Sequence, residues 1–311
     1  MDKILDNLLV VNLDVHIWSA RKKLSPTDLN GAELPPEDLA SLGSKRICDP
    51  GDIKTFSTLK SRASSLLDKH GVRFLNGWAI AEAKAQMIQD MLDNIRAEFN
   101  HAKTIFLNSY DDSVQDWIAK HPQWGSIIAN SIVSKKYVSS RISFNWQMYK
   151  ILPPTSGLAT QLQECTDQLG YTLFEEIAKS AQDAWQRCFE GKTEITRKAL
   201  SPLKAMHQKL LGLSFLEPRV NPVAELINAA ISSVPQRGAI QGNMFTMLSG
   251  LVCLMQNPKA LLAHGQQLLD GMKNSHDILD GFLEDQPNGV YSVGHYTSYQ
   301  KKQLIESHGL W

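Results

Sequence analysis

The apolar residues Ile88, Leu92, Ile95, Phe99, Ala102 and Phe106 recur at spacings of four, three, four, three and four. That is the a/d pattern of a narrow seam, and it demands a helix that packs lengthwise against a partner. Running from about Glu82 to Ser109, the helix would measure roughly 40 Å at about 1.5 Å per residue. Leu158, Leu162, Cys165, Leu169, Leu173, Ile177, Ala181, Ala184 and Cys188 hold nearly the same spacing, which predicts a second long helix between Pro153-Pro154 and Gly191. Gly170 weakens its middle by up to about 1 kcal/mol relative to alanine and predicts a kink. The simplest arrangement pairs the two as a long antiparallel hairpin, with Ile88, Leu92, Ile95, Phe99, Phe106, Leu162, Leu169, Leu173 and Ile177 as its packing seam.

The flanking segments read differently. Leu9, Val11, Leu13, Val15 and Ile17 alternate with Asn12, Asp14 and His16, a period of two that predicts a half-buried strand over Leu9 to Trp18. Ile142, Phe144, Trp146 and Met148 alternate with Arg141, Ser143, Asn145 and Gln147 in the same way. Between them, Asn76-Gly77 predicts a two-residue hairpin turn. The polar connection from Leu24 to Pro50 carries two proline-opened turns, at Ser25-Pro26-Thr27-Asp28 and Pro35-Pro36-Glu37-Asp38. Asp52 to Leu67 reads as an amphipathic helix ended by Gly71, Asp111 to Lys120 as a short helix opened by an aspartate cap, and Trp124 to Val133 as a further short segment.

The strands predict a small, mostly antiparallel sheet at one end of the helical hairpin. From Glu194 to Asp285 the periods are helical, with seams at Ile195, Ala199, Leu203, Met206 and Leu210 and at Val223, Leu226, Ile227, Ala230 and Ile231. The fold class is therefore mainly α, of α+β type, organised as 1–215 sheet plus hairpin, 216–285 C-terminal helical bundle and 286–311 polar aromatic tail.

Composition narrows the chemistry. Lysine plus arginine equals aspartate plus glutamate at 32 each, so no global field steers the chain toward a polyanion. Local basic runs remain at Arg21, Lys22 and Lys23, and a basic-aromatic strand at Arg141 to Lys150 offers Arg141 and Tyr149 as nucleic-acid contacts. Phe144 and Trp146 share a face with Ile142 and Met148 and read as core instead. Cys48, Cys165, Cys188 and Cys253 stand far apart, and MDKILDNLL puts acid where a signal peptide wants base, so a cytoplasmic location is expected. Met244 to Met255 is the most apolar stretch, yet spans only 12 residues against the ~20 that a membrane helix needs, and reads as a buried helix.

Phosphate-cradling GxxxxGK[ST] and GxGxxG loops are missing, as are a GxSxG nucleophile elbow and HExxH. His264, His276, Asp277 and Asp280 lie in one helical region, but His276 and Asp280 at i and i+4 also suit an exposed pair. Glu175-Glu176 and Asp111-Asp112 read as helix-face solvation and capping, because neighbours on a helix diverge by about 100°. The expectation is a non-enzyme without a cofactor or bound metal.

Ile17 to Leu24, Glu33 to Pro36, Leu42 to Arg46, Gly71 to Trp78 and Arg141 to Trp146 together resemble a bacterial family catalogued as a domain of unknown function and carried on integrative conjugative elements, plasmids and phages. The likeness spans most of residues 9 to 220. It implies genomic neighbours of two kinds, MoxR or cobalt-chelatase-like AAA+ ATPases and von Willebrand factor A proteins, and supplies no catalytic residues. The leading expectation is thus a scaffold, adaptor or client of an ATPase-linked assembly, which self-associates or docks on its partner. A nucleic-acid-binding accessory protein is the alternative, and a membrane-active helical hairpin ranks third.

Overall fold

The computed structural model describes residues 2–25, 28, 43–152 and 160–284. The expected turn at Pro35 to Asp38, the Pro153-Pro154 limit and the 286–311 tail lie outside these residues. In chain order the elements open with α1 (Asp2–Asp6), β1 (Leu8–His16), β2 (Arg21–Lys23), β3 (Ser44–Arg46), α2 (Pro50–His70), β4 (Gly71–Phe74), β5 (Gly77–Ala81) and α3 (Ala85–Lys120). Then come α4 (Gly125–Ala129), α5 (Lys135–Ser140), β6 (Ser143–Tyr149), α6 (Thr160–Asp167), α7 (Leu169–Ala184), β7 (Glu194–Ile195) and α8 (Ser201–Gly212). The last are α9 (Val220–Ser232), β8 (Ile240–Gln241), α10 (Asn243–Met255), α11 (Pro258–Leu269) and α12 (Ser275–Glu284).

The seam of α3 is buried from Ile88 to Phe106, and the helix continues for 36 residues, about 54 Å. The expected short helix at Asp111 to Lys120 is its last part. Tyr110 and Val114 carry the buried stripe onward from Phe106 in steps of four, and the Tyr110 hydroxyl donates to the Val133 carbonyl at 3.0 Å. Asp111 is no cap: it lies on the exposed side and pairs with Lys135 at 2.9 Å.

The partner of this seam also differs from expectation. Helix α3 lies antiparallel to α2, as three successive contacts show: Lys120 on Asp49, the Phe56 ring between those of Phe99 and Phe106, and the Arg62 guanidinium on Glu98. Asp49 caps α2 by accepting the Gly51 N–H at 2.9 Å, Pro50 sets the first turn, and Phe56, Leu59, Ala63, Leu66 and Leu67 face inward. Leu169, Leu173 and Ile177 of α7 are buried in a separate core, with α8, α10 and α11 as neighbours and Leu162 of α6 packed at its edge. The anticipated kink is there, as the break between α6 and α7. Gly170 is required for contact, since a Cβ would lie 2.7 Å from the Glu217 Cβ.

Strands β4, β5, β1 and β6 form, in that order, one antiparallel sheet. It lies between the helical layers instead of capping one end. Alternation sends Val11, Trp78, Ile80 and Phe144 into the core of α2 and α3, while Leu8, Val10, Val72, Phe74 and Ala79 enter the core of α7 to α12. The second core runs from Leu5 to Leu279, and α10 is buried in it from Met247 to Met255. A stack of rings, Trp18, Phe56, Phe99, Phe106, Tyr110 and Phe144, fills the first at centroid distances from 4.9 to 6.3 Å.

The hairpin turn is shifted by one residue. Phe74 pairs with Gly77, so Leu75 and Asn76 are the turn, with φ of 45° and 62°, and Gly77 already belongs to β5. Two positive φ values make this a primed turn, which suits asparagine and glycine and costs a leucine about 1–2 kcal/mol. Leu75→Asn therefore stabilises the protein by about 1 kcal/mol, read as a rise of roughly 2 °C in Tm. A lower Tm would mean that the exposed leucine makes contacts outweighing its backbone strain.

Candidate functional site

A polar junction lies where α2, the β4–β5 hairpin, α7 and α8 meet. Lys209 of α8, only 8% exposed, donates from Nζ to Glu176 Oε2 at 2.6 Å and to the Asp68 carbonyl at 2.7 Å. The other Glu176 oxygen accepts the Arg73 N–H at 2.8 Å. Trp78 Nε1 donates to Asp68 Oδ1 at 2.7 Å, and the Arg73 guanidinium reaches the same oxygen at 3.1 Å while lying 3.8 Å over the Trp78 ring. Glu176 is thus not the solvated helix-face residue expected beside Glu175, which is exposed. The charges at this junction meet opposite charges or hydrogen bonds of the chain itself, which ties the two helical layers together across the sheet edge. A second such tie, Trp146 Nε1 to Asp93 at 3.1 Å with Arg96 on the same carboxylate at 2.9 Å, fixes β6 to α3.

His70 closes α2 beside this junction. Burial, and then the positive charges of Lys84, Lys69 and Lys209, push its pKa down to about 4. Lys84 reaches into the space that a Cβ on Gly212 would take, and burial lowers its own pKa. The unfolded chain binds a proton on His70 near pH 6.5, whereas the folded chain resists until about pH 4. The resulting stability is fully present above pH 6.5 and is lost as pH falls toward 4. His70→Gln flattens that part of the pH–stability curve. A His70 imidazole titrating near 6.5 by NMR would contradict the assignment.

Two hollows adjoin the helices. One, of about 490 Å³, runs between α2 and α3 over a floor of Phe56, Leu59, Ala102, Ile105 and Phe106, with Asp52, Glu98 and His101 on its rim. The other, of about 350 Å³, lies at the end of α7, where Trp185–Phe189 widens into a π-turn, and is lined by Cys188, Lys192, Glu194 and Lys198. Among the described residues no three His, Cys, Asp or Glu side chains are placed to share a metal ion. His276 and Asp280 are exposed on α12, Asn274 caps that helix by accepting the Asp277 N–H at 3.0 Å while Asp277 accepts the Asn274 N–H at 2.9 Å in return, and His264 on α11 is half-buried. Burial raises the Cys48 thiol to about 12 and that of Cys253 to about 11, far from thiolate chemistry at neutral pH.

Arg21, Lys22 and Lys23 form β2, whose pairing with β3 sets Arg21 opposite Arg46 and Lys22 opposite Lys45. The sequence marks only one strand of this ribbon as basic, and Ser44 to Arg46 enters only through the family likeness. Arg141 lies just before β6, at the end where Ser143 pairs with His16 and the chain continues through Trp18 into β2. Tyr149 is at the opposite end of β6 with its hydroxyl bonded to Asn12 Nδ2 at 3.0 Å, so the structure does not bring it to the cations. Phe144 and Trp146 face the α2–α3 core, as their alternation required.

An antiparallel sheet shared by two helical layers, with charged ties at its edges and a basic ribbon at its rim, defines an α+β body. No helix among the described residues is long and apolar enough to cross a membrane. The chain belongs to the DUF3150 family, described as a protein of unknown function, whose family model matches residues 5–257. The match extends beyond the 9 to 220 likeness and takes in α10. No curated protein and no solved structure matches the chain.

Proposed function

We propose that the protein is a non-enzymatic scaffold or adaptor that docks an AAA+ ATPase encoded beside it on a mobile element. The observation that carries this reading is the outer side of α3. Met87, Met91 and Ile105 are 41, 43 and 56% exposed and fall within about 40° of one another at 100° per residue. The helix, held by one buried face, thus carries exposed apolar side chains on the flank beside it, with the Glu98–Arg62 pair between Met91 and Ile105, and Ile105 lines the hollow beside α2. Apolar centres with polar rims are how docking surfaces are built. The ATPase and the von Willebrand factor A protein come into the reading from the family likeness; a second copy of the chain is the competing occupant.

Light scattering after size exclusion, on the full chain alone and with the neighbouring ATPase, tests the proposal. A complex is expected that Met87→Glu with Ile105→Glu weakens at least tenfold while leaving the circular dichroism unchanged. A strict monomer that binds no ATPase at micromolar concentrations overturns it.

A further inference from the structure

The β2–β3 ribbon is a second surface, independent of α3. Its described strands read Arg-Lys-Lys and Ser-Lys-Arg, five cations and no acid in six residues of a chain whose net charge is zero. Cross-strand register places Arg21, Lys23 and Arg46 on one face, with Ser44 as the fourth member. Lys22 and Lys45 share the other face, where Lys45 is held by Asp28 at 2.5 Å. Among the described residues no carboxylate is within ion-pair distance of Arg21, Lys22, Lys23 or Arg46.

Lysine on a short exposed strand commonly guards against edge-to-edge aggregation. A guard needs no like charges set directly opposite each other, which destabilise the pairing that holds the ribbon. Here two of the three cross-strand pairs are like-charged, and the backbone at the base of the ribbon is strained. Ala20, buried and with no glycine's freedom, adopts φ of 53° so that its carbonyl receives the Ile47 N–H at 2.9 Å. Trp18 anchors the base against Phe106 and Tyr110, and Ile47 and Cys48 anchor its other strand in the same core. The cations therefore stand on a fixed mount. A strained buried residue at the base and a charge cluster that, among the described residues, only Asp28 approaches are independent features that meet at the same place.

We infer that the β2–β3 ribbon is a contact site for the phosphate backbone of nucleic acid. Two guanidinium forks side by side match phosphate oxygens in a way that a lipid surface does not need. The described ribbon also offers no apolar or aromatic side chain to enter a bilayer. A two-stranded ribbon is narrow enough for the major groove, and Arg141 lies on the sheet end that leads into it. Neutral net charge limits the reach of the field but not the contact itself, which depends on clustered cations.

Fluorescence anisotropy of the full chain with a labelled duplex of about two helical turns, and with a single strand of equal length, tests the site. Phosphate contacts by Arg21, Lys23, Arg46 and Arg141 predict a slope of about −3.6 in log K against log salt, a loss of roughly 100-fold between about 50 and 200 mM. Arg21→Ala with Lys23→Ala and Arg46→Ala should weaken binding at least tenfold and flatten the slope by about 2.7. Arg21→Lys with Arg46→Lys should keep most of the slope. Absence of binding at the lowest salt overturns the inference, as does a triple variant with unchanged slope. Ribbon-dependent binding to phosphatidylserine vesicles without binding to either oligonucleotide would reassign the site to membranes and equally overturn it.

Discussion

Alanine at Gly77 costs the protein about 3–4 kcal/mol, enough to lower Tm by roughly 6–12 °C. A Cβ at this position would lie 2.2 Å from Asn12 Oδ1 and 2.5 Å from the Val11 carbonyl oxygen. The side-chain atom can swing away, but the carbonyl belongs to β1, which pairs Val11 with Trp78 on one side and with Met148 on the other. Relieving the clash means spreading the centre of the sheet, where both cores meet. Asn12→Ala in the same chain should recover only the part due to the amide. Denaturant melts of Gly77→Ala that stay within about 1 kcal/mol of the parent would show that β1 and β5 can separate at little cost, against the register described.

Lys209→Met is the second large loss, about 3 kcal/mol. It removes the ammonium from a Glu176 carboxylate that is already partly out of water and leaves it only the Arg73 N–H. The Asp68 carbonyl loses its donor in the same stroke. Breaking one half of a sheltered pair is more harmful than replacing both, so Lys209→Met with Glu176→Leu should be more stable than Lys209→Met alone. If the double variant loses as much as the sum of its parts, the two side chains are not coupled and the junction is held by Trp78, Asp68 and Arg73 without them.

Much of the fold could be read from periodicity because periodicity reports burial. The stripes of α2, α3 and α7 and the alternation of β1 and β6 all lie where their spacing placed them. A stripe does not say what covers it, however. Ile88 to Phe106 and Leu162 to Ile177 share a spacing, yet each lies against an element nearer in sequence, α2 for the first and α8 for the second. The short β4–β5 connection was the signal for the first pairing, since consecutive elements joined by a tight turn tend to be neighbours. Asp111-Asp112 imitated a helix start because acid near an N-terminus is favourable, while Tyr110 and Val114 quietly continued the stripe.

Sites were harder to read. Glu176 and Lys209 are 33 residues apart, and nothing local marks either as the other's partner. Arg21 to Lys23 stood out as a basic run, but its likeness to Ser44 to Arg46 becomes a ribbon only once Ala20 and Ile47 are joined. Tyr149 looked like a companion to Arg141 because they flank one strand, and a strand of seven residues carries its two ends roughly 20 Å apart.

Strand β1 contributes neighbouring residues, Val10 and Val11, to opposite cores. The two helical layers therefore cannot part as independent lobes: separating them would tear the same backbone that each uses as its floor. Displacing one layer therefore disturbs the floor of the other, through β1 and through the Lys209 tie to the Asp68 carbonyl alike.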